Sequence, residues 1–442
     1  MLLLHSKFIT PRLQYIVNFF SQELFDEPML LTSNKNYYIH YKGPKINYHF
    51  QELCDEEFLI SPVPLLFETD IRNQDTACFE INFHPAFFQT TGDIHFDIFA
   101  AAFYLLTRYE EYLPHEKDVY GRFAHTSSLA FREGFLHLPL VNIWLQDFKQ
   151  SLQDRFPDLK FKGWQFANVI TYDVDIAYSY LHKGLLRNLG GTLRSVVHGE
   201  WGLIKERWQV LFNLKKDPFD CFEWLDALHL YCRIKPYYFF LVSGKLSKYD
   251  KNVSTSVRPF RELIEYYSRT YNVGIHPSWQ SGDDHSLLKE EIEWLEVIGE
   301  KKITSSRNHY LRFSLPETYR RLIHEGIEKE FSMGYGTVNG FRASVCSAFN
   351  WYDLKKETET ALVIYPFCFM DANAFYESGS SPKQAYEELM KYYNIVKRVN
   401  GMFITLWHNH ILGSDRRTAG WSQMFELFMK EVVYWDAYSD GR

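Results

Sequence analysis

Five polar residues stand where short apolar runs end. Asp173 and Asp175 follow the run at 167–172, His276 follows 273–275, His309 follows 303–306, and His408 follows 402–407. Carboxylates and imidazoles are the side chains of proton transfer near neutral pH and of divalent-metal binding. Taken singly, each has an ordinary explanation: an Asp after a strand caps a helix, and a His satisfies a buried polar contact. Taken together they form a constellation, because the carboxyl ends of strands in parallel α/β sheets and barrels are where distant side chains meet. The alternation Asp173-Val174-Asp175 also puts both carboxylates on one face of a strand.

Such positions demand a particular scaffold. From about residue 165 the rhythm is one of short apolar strands separated by helical stretches, which predicts a parallel α/β arrangement. The strands fall at 167–172, 237–242, 273–275, 303–306, 362–370 and 402–407. Ser314 and Glu317 read as a capping box, with Pro316 in the first turn and Gly326 past the last, while Ser381 and Pro382 open a helix that ends near Gly401. Two domains are expected, at 1–160 and 165–435. The first reads as a smaller α+β unit, with half-buried strands through Ile46, Tyr48 and Phe50 and through Phe79, Ile81 and Phe83. Its apolar helix from Phe96 is expected to emerge into solvent at Arg108, Glu110 and Glu111, and a helix from Val141 to Phe156 closes it before Pro157. It holds no compact set of chemical residues, and the sequence assigns it no activity.

Composition excludes several classes. Of 442 residues, 46% are hydrophobic and 23% charged, the balance of a globular chain with a large core. A net charge of -7 with no run of Lys or Arg argues against a nucleic-acid partner. Cys54, Cys78, Cys221, Cys232, Cys346 and Cys368 form no C-x-x-C pair, so they read as free thiols and not as a zinc knuckle or a disulfide framework. No stretch of about eighteen apolar residues and no readable signal peptide occur, so a cytoplasmic enzyme without a membrane span is expected.

The segments TYDVD at 171–175, GIHPS at 274–278, SRNHYLR at 306–312 and TLWHN at 405–409 resemble the ordered motifs of the polysaccharide deacetylase (NodB-homology, carbohydrate esterase 4-like) family, over roughly 165–430. The chain is most similar to the bacterial two-domain subgroup in which an uncharacterised N-terminal domain comes first, and LLRNLGG, DPFD, SLPETYR, SMGY and GFRA add to the likeness. The resemblance implies a distorted (β/α) barrel, a divalent metal, and hydrolysis of an acetamide or similar amide on a sugar. It makes Asp173 the general base, Asp175 and His276 metal ligands, and His408 the general acid. Four residues after the first ligand histidine the family carries a second, where this chain has Gln280. His309, at a position where the family commonly has proline, is the expected replacement, with His285 as the alternative. Arg307 is expected to orient Asp173, and Asp371 to orient His408.

One carboxylate and two imidazoles suit Zn2+, although iron, cobalt and nickel accept the same set. An N-acetylated sugar or glycan is the substrate implied; a small non-sugar amide, or a non-catalytic glycan-binding protein with a decayed metal site, are the other readings. Trp279, Tyr310, Arg312, Arg342 and Trp351 are candidates to line a substrate groove. The letters HNH at 408–410 and GYGTVNG at 334–340 fit neither a nuclease nor a dinucleotide fingerprint, the latter reading as a turn.

Overall fold

The computed structural model describes residues 1–163, 165–244 and 247–439. Its first sheet contains Leu3–Ser6 (β1), Leu30–Thr32 (β2), Lys45–Tyr48 (β3) and Phe58–Ile60 (β4) in the order β2-β1-β3-β4, every pair parallel. Parallel pairing forces crossover connections over the sheet faces, so this region is built as α/β and not as the α+β unit expected. It also explains why half-buried alternation fails: β3 is buried at all four residues, and Phe50 lies beyond its end, exposed. Phe79–Ile81 (β5) and His84–Ala86 (β6) form a hairpin. Asn82 and Phe83 make its left-handed turn, with φ of 50° and 64°, which leaves Phe83 in solvent.

The helix Ile98–Leu106 is buried at every residue and is capped by Asp97, whose side chain accepts from Ala100 N at 3.0 Å. It does not emerge into water. Arg108, Glu110 and Glu111 are buried, because Arg108 donates to Glu110 at 2.9 Å and to Glu111 at 2.7 Å. Arg342, from the second half of the chain, closes on Glu111 in a fork at 2.8 and 2.6 Å. Charges survive burial when each is paired and hydrogen-bonded in this way. Arg342 is therefore a structural partner and no groove residue, and Trp351 is likewise core.

The second sheet has nine strands: Ala167–Val174 (β7), Tyr237–Phe240 (β8), Asn272–Ile275 (β9), Ser305–Ser306 (β10), Lys329–Glu330 (β11), Phe349–Asp353 (β12), Thr358–Ile364 (β13), Phe369–Met370 (β14) and Met402–His408 (β15). Their order is β12-β13-β11-β10-β9-β8-β7-β15-β14, parallel throughout except for the β12–β13 hairpin. Residues 365–368 alone connect β13, beside β11, to β14, beside β15. So short a link reaches at most about 17 Å even when extended, so the sheet must curl until its sides meet. Along it Tyr365 N donates to Glu330 O at 2.8 Å, Phe367 N to Met333 O at 3.2 Å, and Cys368 N to Ile404 O at 3.3 Å. One strand thus changes partner and closes the barrel.

Between the strands, Pro382–Arg398 opens with the expected cap at Ser381, completed by Gln384 into a capping box. Glu317–His324 has no such box; Ser314 N instead donates to Thr318 Oγ1 at 3.0 Å. The larger buried core runs from Leu4 and Phe99 through Tyr172 and Phe240 to Trp407, joining both sheets, and a smaller one gathers Leu311, Phe367, Met370, Ile404 and Leu406.

Candidate metal and acid-base site

At the carboxyl ends of β7, β9, β10 and β15 the predicted residues come together. Asp173 and Asp175 leave β7, and His276 follows β9, where its backbone N–H donates to Phe240 O at 3.1 Å. His309 lies three residues beyond β10, and after it Tyr310 and Leu311 adopt left-handed φ of 58° and 54°, a costly conformation for non-glycine residues that turns the chain sharply.

Asp175, His276 and His309 present ligand atoms all within 4.8 Å of one another. His276 Nε2 lies 3.1 Å and His309 Nε2 3.8 Å from Asp175 Oδ1. The other ring nitrogens are committed: His276 Nδ1 donates to Arg307 O at 2.6 Å, and His309 Nδ1 to Asp250 Oδ1 at 3.0 Å. In the neutral imidazole this leaves each Nε2 as a bare lone pair aimed at a carboxylate oxygen. That oxygen, Asp175 Oδ1, is buried without a hydrogen-bond partner. Burial alone would raise its pKa, yet His309, His276 and His408 hold it well below the usual carboxylate range. Burial lowers the His276 pKa, but Asp173 and Asp175 outweigh it and raise it, so either a proton or a cation relieves these mutually facing lone pairs, and donors around a tetrahedral ion sit about 3.4 Å apart. The three residues fit a divalent metal.

On one side of this set Asp173 Oδ1 accepts from Arg307 Nη1 at 2.9 Å, and Oδ2 lies 3.8 Å from His276 Nε2. Arg307 is fully buried, with its guanidinium 4.6 Å from the Phe239 ring centre and its Nε donating to Phe331 O at 3.0 Å. On the other side His408 Nδ1 donates to Asp371 Oδ1 at 2.6 Å, and His408 Nε2 lies 3.7 Å from Asp175 Oδ2. Burial lowers the His408 pKa, but Asp371, with Asp175 and Asp173, outweighs it and raises it to about 9. His285 stands apart, at the start of Asp284-capped helix His285–Gly299, paired with Glu325 at 2.6 Å. Gln280 is absent from the cavity lining.

The site opens into a cavity of about 410 Å3. Tyr310 lines it, with its ring 4.5 Å from His309 and 5.6 Å from Trp279. Arg312 lies behind, 4.5 Å from the Trp279 ring and paired with Asp283. Sequence reasoning missed Asp250, a fully buried loop residue, and the cavity residues Tyr120, Arg122, Tyr249 and His410. Asp250 carried no signal beyond its type; His410 did, two positions from His408, and burial without a partner on Nδ1 lowers its pKa to about 3.

Residues 2–157 match a family of unknown function (DUF7033). No curated protein matches the chain. Among solved structures, a protein described as a polysaccharide deacetylase from Mycobacterium smegmatis aligns at 15% identity and a TM-score of 0.40, over 62% of this chain and 85% of its own. A polysaccharide deacetylase from Bacillus cereus aligns at 11% and 0.31, over 60% and 88%. A CE4 family pseudoenzyme from Bacillus anthracis aligns at 10% and 0.30, over 60% and 61%. Function resides in side chains grafted on a scaffold, and this chain's own side chains are described above.

Proposed function

We propose that this protein is a metal-dependent hydrolase that removes an acetyl or similar acyl group from the nitrogen of an N-acylated sugar. The observation that carries this reading is the unpartnered Asp175 Oδ1 facing two histidine Nε2 atoms, flanked by the Arg307–Asp173 and Asp371–His408 pairs. Asp175, His276 and His309 would hold the ion, most simply Zn2+. A divalent ion bound there supplies Lewis acidity for the acyl oxygen and for water.

The remaining chemistry belongs to the chain. Arg307 occupies one oxygen of Asp173, leaving the other to take the proton of the attacking water. His408, held protonated by Asp371, gives its proton to the departing nitrogen, without which an amide does not cleave. Acid and base thus stand on opposite sides of the ligand set, as the two proton transfers require.

The test is metal stoichiometry in the wild type, His276→Ala, His309→Ala and His285→Ala, followed by acetate release from N-acetylated sugars. One ion per chain, kept only in His285→Ala and wild type, with acetate release abolished in Asp173→Asn, supports the proposal. A wild type that binds no ion after reconstitution refutes it, and metal-dependent turnover confined to non-sugar amides would replace the substrate class.

A further inference from the structure

We infer that the N-terminal region completes the substrate pocket, with Tyr120 offering a stacking face to the sugar ring and Arg122 selecting a sugar that carries an anionic substituent, a carboxylate or a phosphate. This deepens the proposed function and rests on it. Lys117 and Phe123 pair in an antiparallel bridge, and two backbone hydrogen bonds hold the tip between them: Asp118 N donates to Arg122 O at 2.9 Å, and Gly121 N to Asp118 O at 2.9 Å with Gly121 at φ 77°. This tip reaches the barrel mouth. The Tyr120 ring lies 5.2 Å from Tyr310, whose own ring lies against His309, and 5.9 Å from Trp279. Such faces suit the apolar face of a sugar ring.

Arg122 lines the same cavity yet is only 5% exposed. Its Nε donates to Asp118 Oδ2 at 2.6 Å and its Nη1 to Tyr310 O at 2.6 Å, whereas Nη2 is buried with no acceptor. A buried guanidinium donor left unmet is costly, and a carboxylate or phosphate oxygen that displaced the cover over Nη2 would be its natural complement. Lys251 places a second cation on the cavity lining, which also carries the carboxylates of Asp173, Asp175 and Glu377. Space for the guanidinium depends on Gly336, where a Cβ would lie 1.9 Å from Arg122 Nη1 and 2.7 Å from Cζ.

The experiment measures calorimetric binding of N-acetylglucosamine, N-acetylglucosamine 6-phosphate and N-acetylmuramic acid to the full-length wild type, Arg122→Met, Gly336→Ala and Tyr120→Ala. The wild type is expected to bind at least one charged sugar about tenfold or more tightly than the neutral one. Arg122→Met should erase that preference. Gly336→Ala, which displaces the guanidinium without deleting its charge, should weaken it and guards against a folding failure in the first variant. Tyr120→Ala should weaken all three sugars alike. Equal binding of charged and neutral sugars, or a preference that survives both Arg122→Met and Gly336→Ala, overturns this inference while leaving the proposed function standing. No binding of any sugar by the metal-loaded wild type overturns both.

Discussion

Asp371 grips His408 twice: one carboxylate oxygen accepts from the ring Nδ1 at 2.6 Å and the other from the backbone N–H of the same residue at 2.8 Å. The grip fixes the ring tautomer, the direction in which Nε2 points and the charge that the ring carries.

The sign of the resulting pH dependence is definite. Because the His408 pKa is raised to about 9, the acid proposed here stays protonated through neutral pH and is lost only as pH climbs through that value. Asp371→Asn removes the carboxylate charge, so the alkaline limb of the kcat profile moves to lower pH by about one unit or more, with maximal kcat down roughly tenfold. An alkaline limb that does not move would show that His408 is not the acid.

Asp250 should act on metal affinity, since it holds His309 through Nδ1 while itself accepting from Trp279 N at 2.9 Å. Asp250→Asn is expected to weaken metal binding about 10- to 100-fold, as loss of a partner behind a ligand histidine usually does. Chelator competition on the purified variant measures this, and an unchanged affinity would remove His309 from the ligand set.

Glu111 joins the two halves of the chain. Burial raises its pKa, but Arg342 and Arg108 together bring it down to about 2. Glu111→Gln leaves the buried Arg342 guanidinium without its counter-ion and Arg108 with Glu110 alone, and should cost about 3–5 kcal/mol. Denaturant unfolding reads this directly; a loss below 1 kcal/mol would mean that the seam tolerates unpaired charge.

Glu23 behaves oppositely. Burial pushes it up to about 7, against the Ser347 hydroxyl, which donates to it at 2.6 Å, and the Lys162 charge. The folded state therefore holds this proton more tightly than the unfolded chain, so stability from it is present at acid pH and is lost as pH rises from about 4.5 through 7. Glu23→Gln has no such loss. The melting temperature of the variant minus that of the wild type should rise by a few degrees between pH 5 and 8 and then level off; a flat difference would contradict the shift.

What was legible in the sequence follows from what is local. Asp173, His276 and His408 sit against apolar runs whose period and bounds are visible residue by residue, and β7, β9 and β15 form within two residues of their expected places. Asp250, Tyr120 and Arg122 come from loops, where neither period nor spacing marks a position. The solvent exposure expected of Arg108 and Glu111 failed because the partner, Arg342, is 231 positions from Glu111. The hairpin strand β12 and the two-residue strand β11 exist through their neighbours and have almost no signature of their own, while β10 keeps only the last two residues of the strand expected at 303–306.

The strand that shuts the barrel has a temporal consequence. The residues proposed to hold the ion are all synthesised by position 309, but the closing segment at 358–370 and the last stave, β15, are made only afterwards. His408 arrives later still, on β15, which must slot between β7 and β14. Such late, long-range pairing is the slow part of folding. In a nascent chain the groups proposed to hold the ion are therefore made well before the residue proposed as the acid.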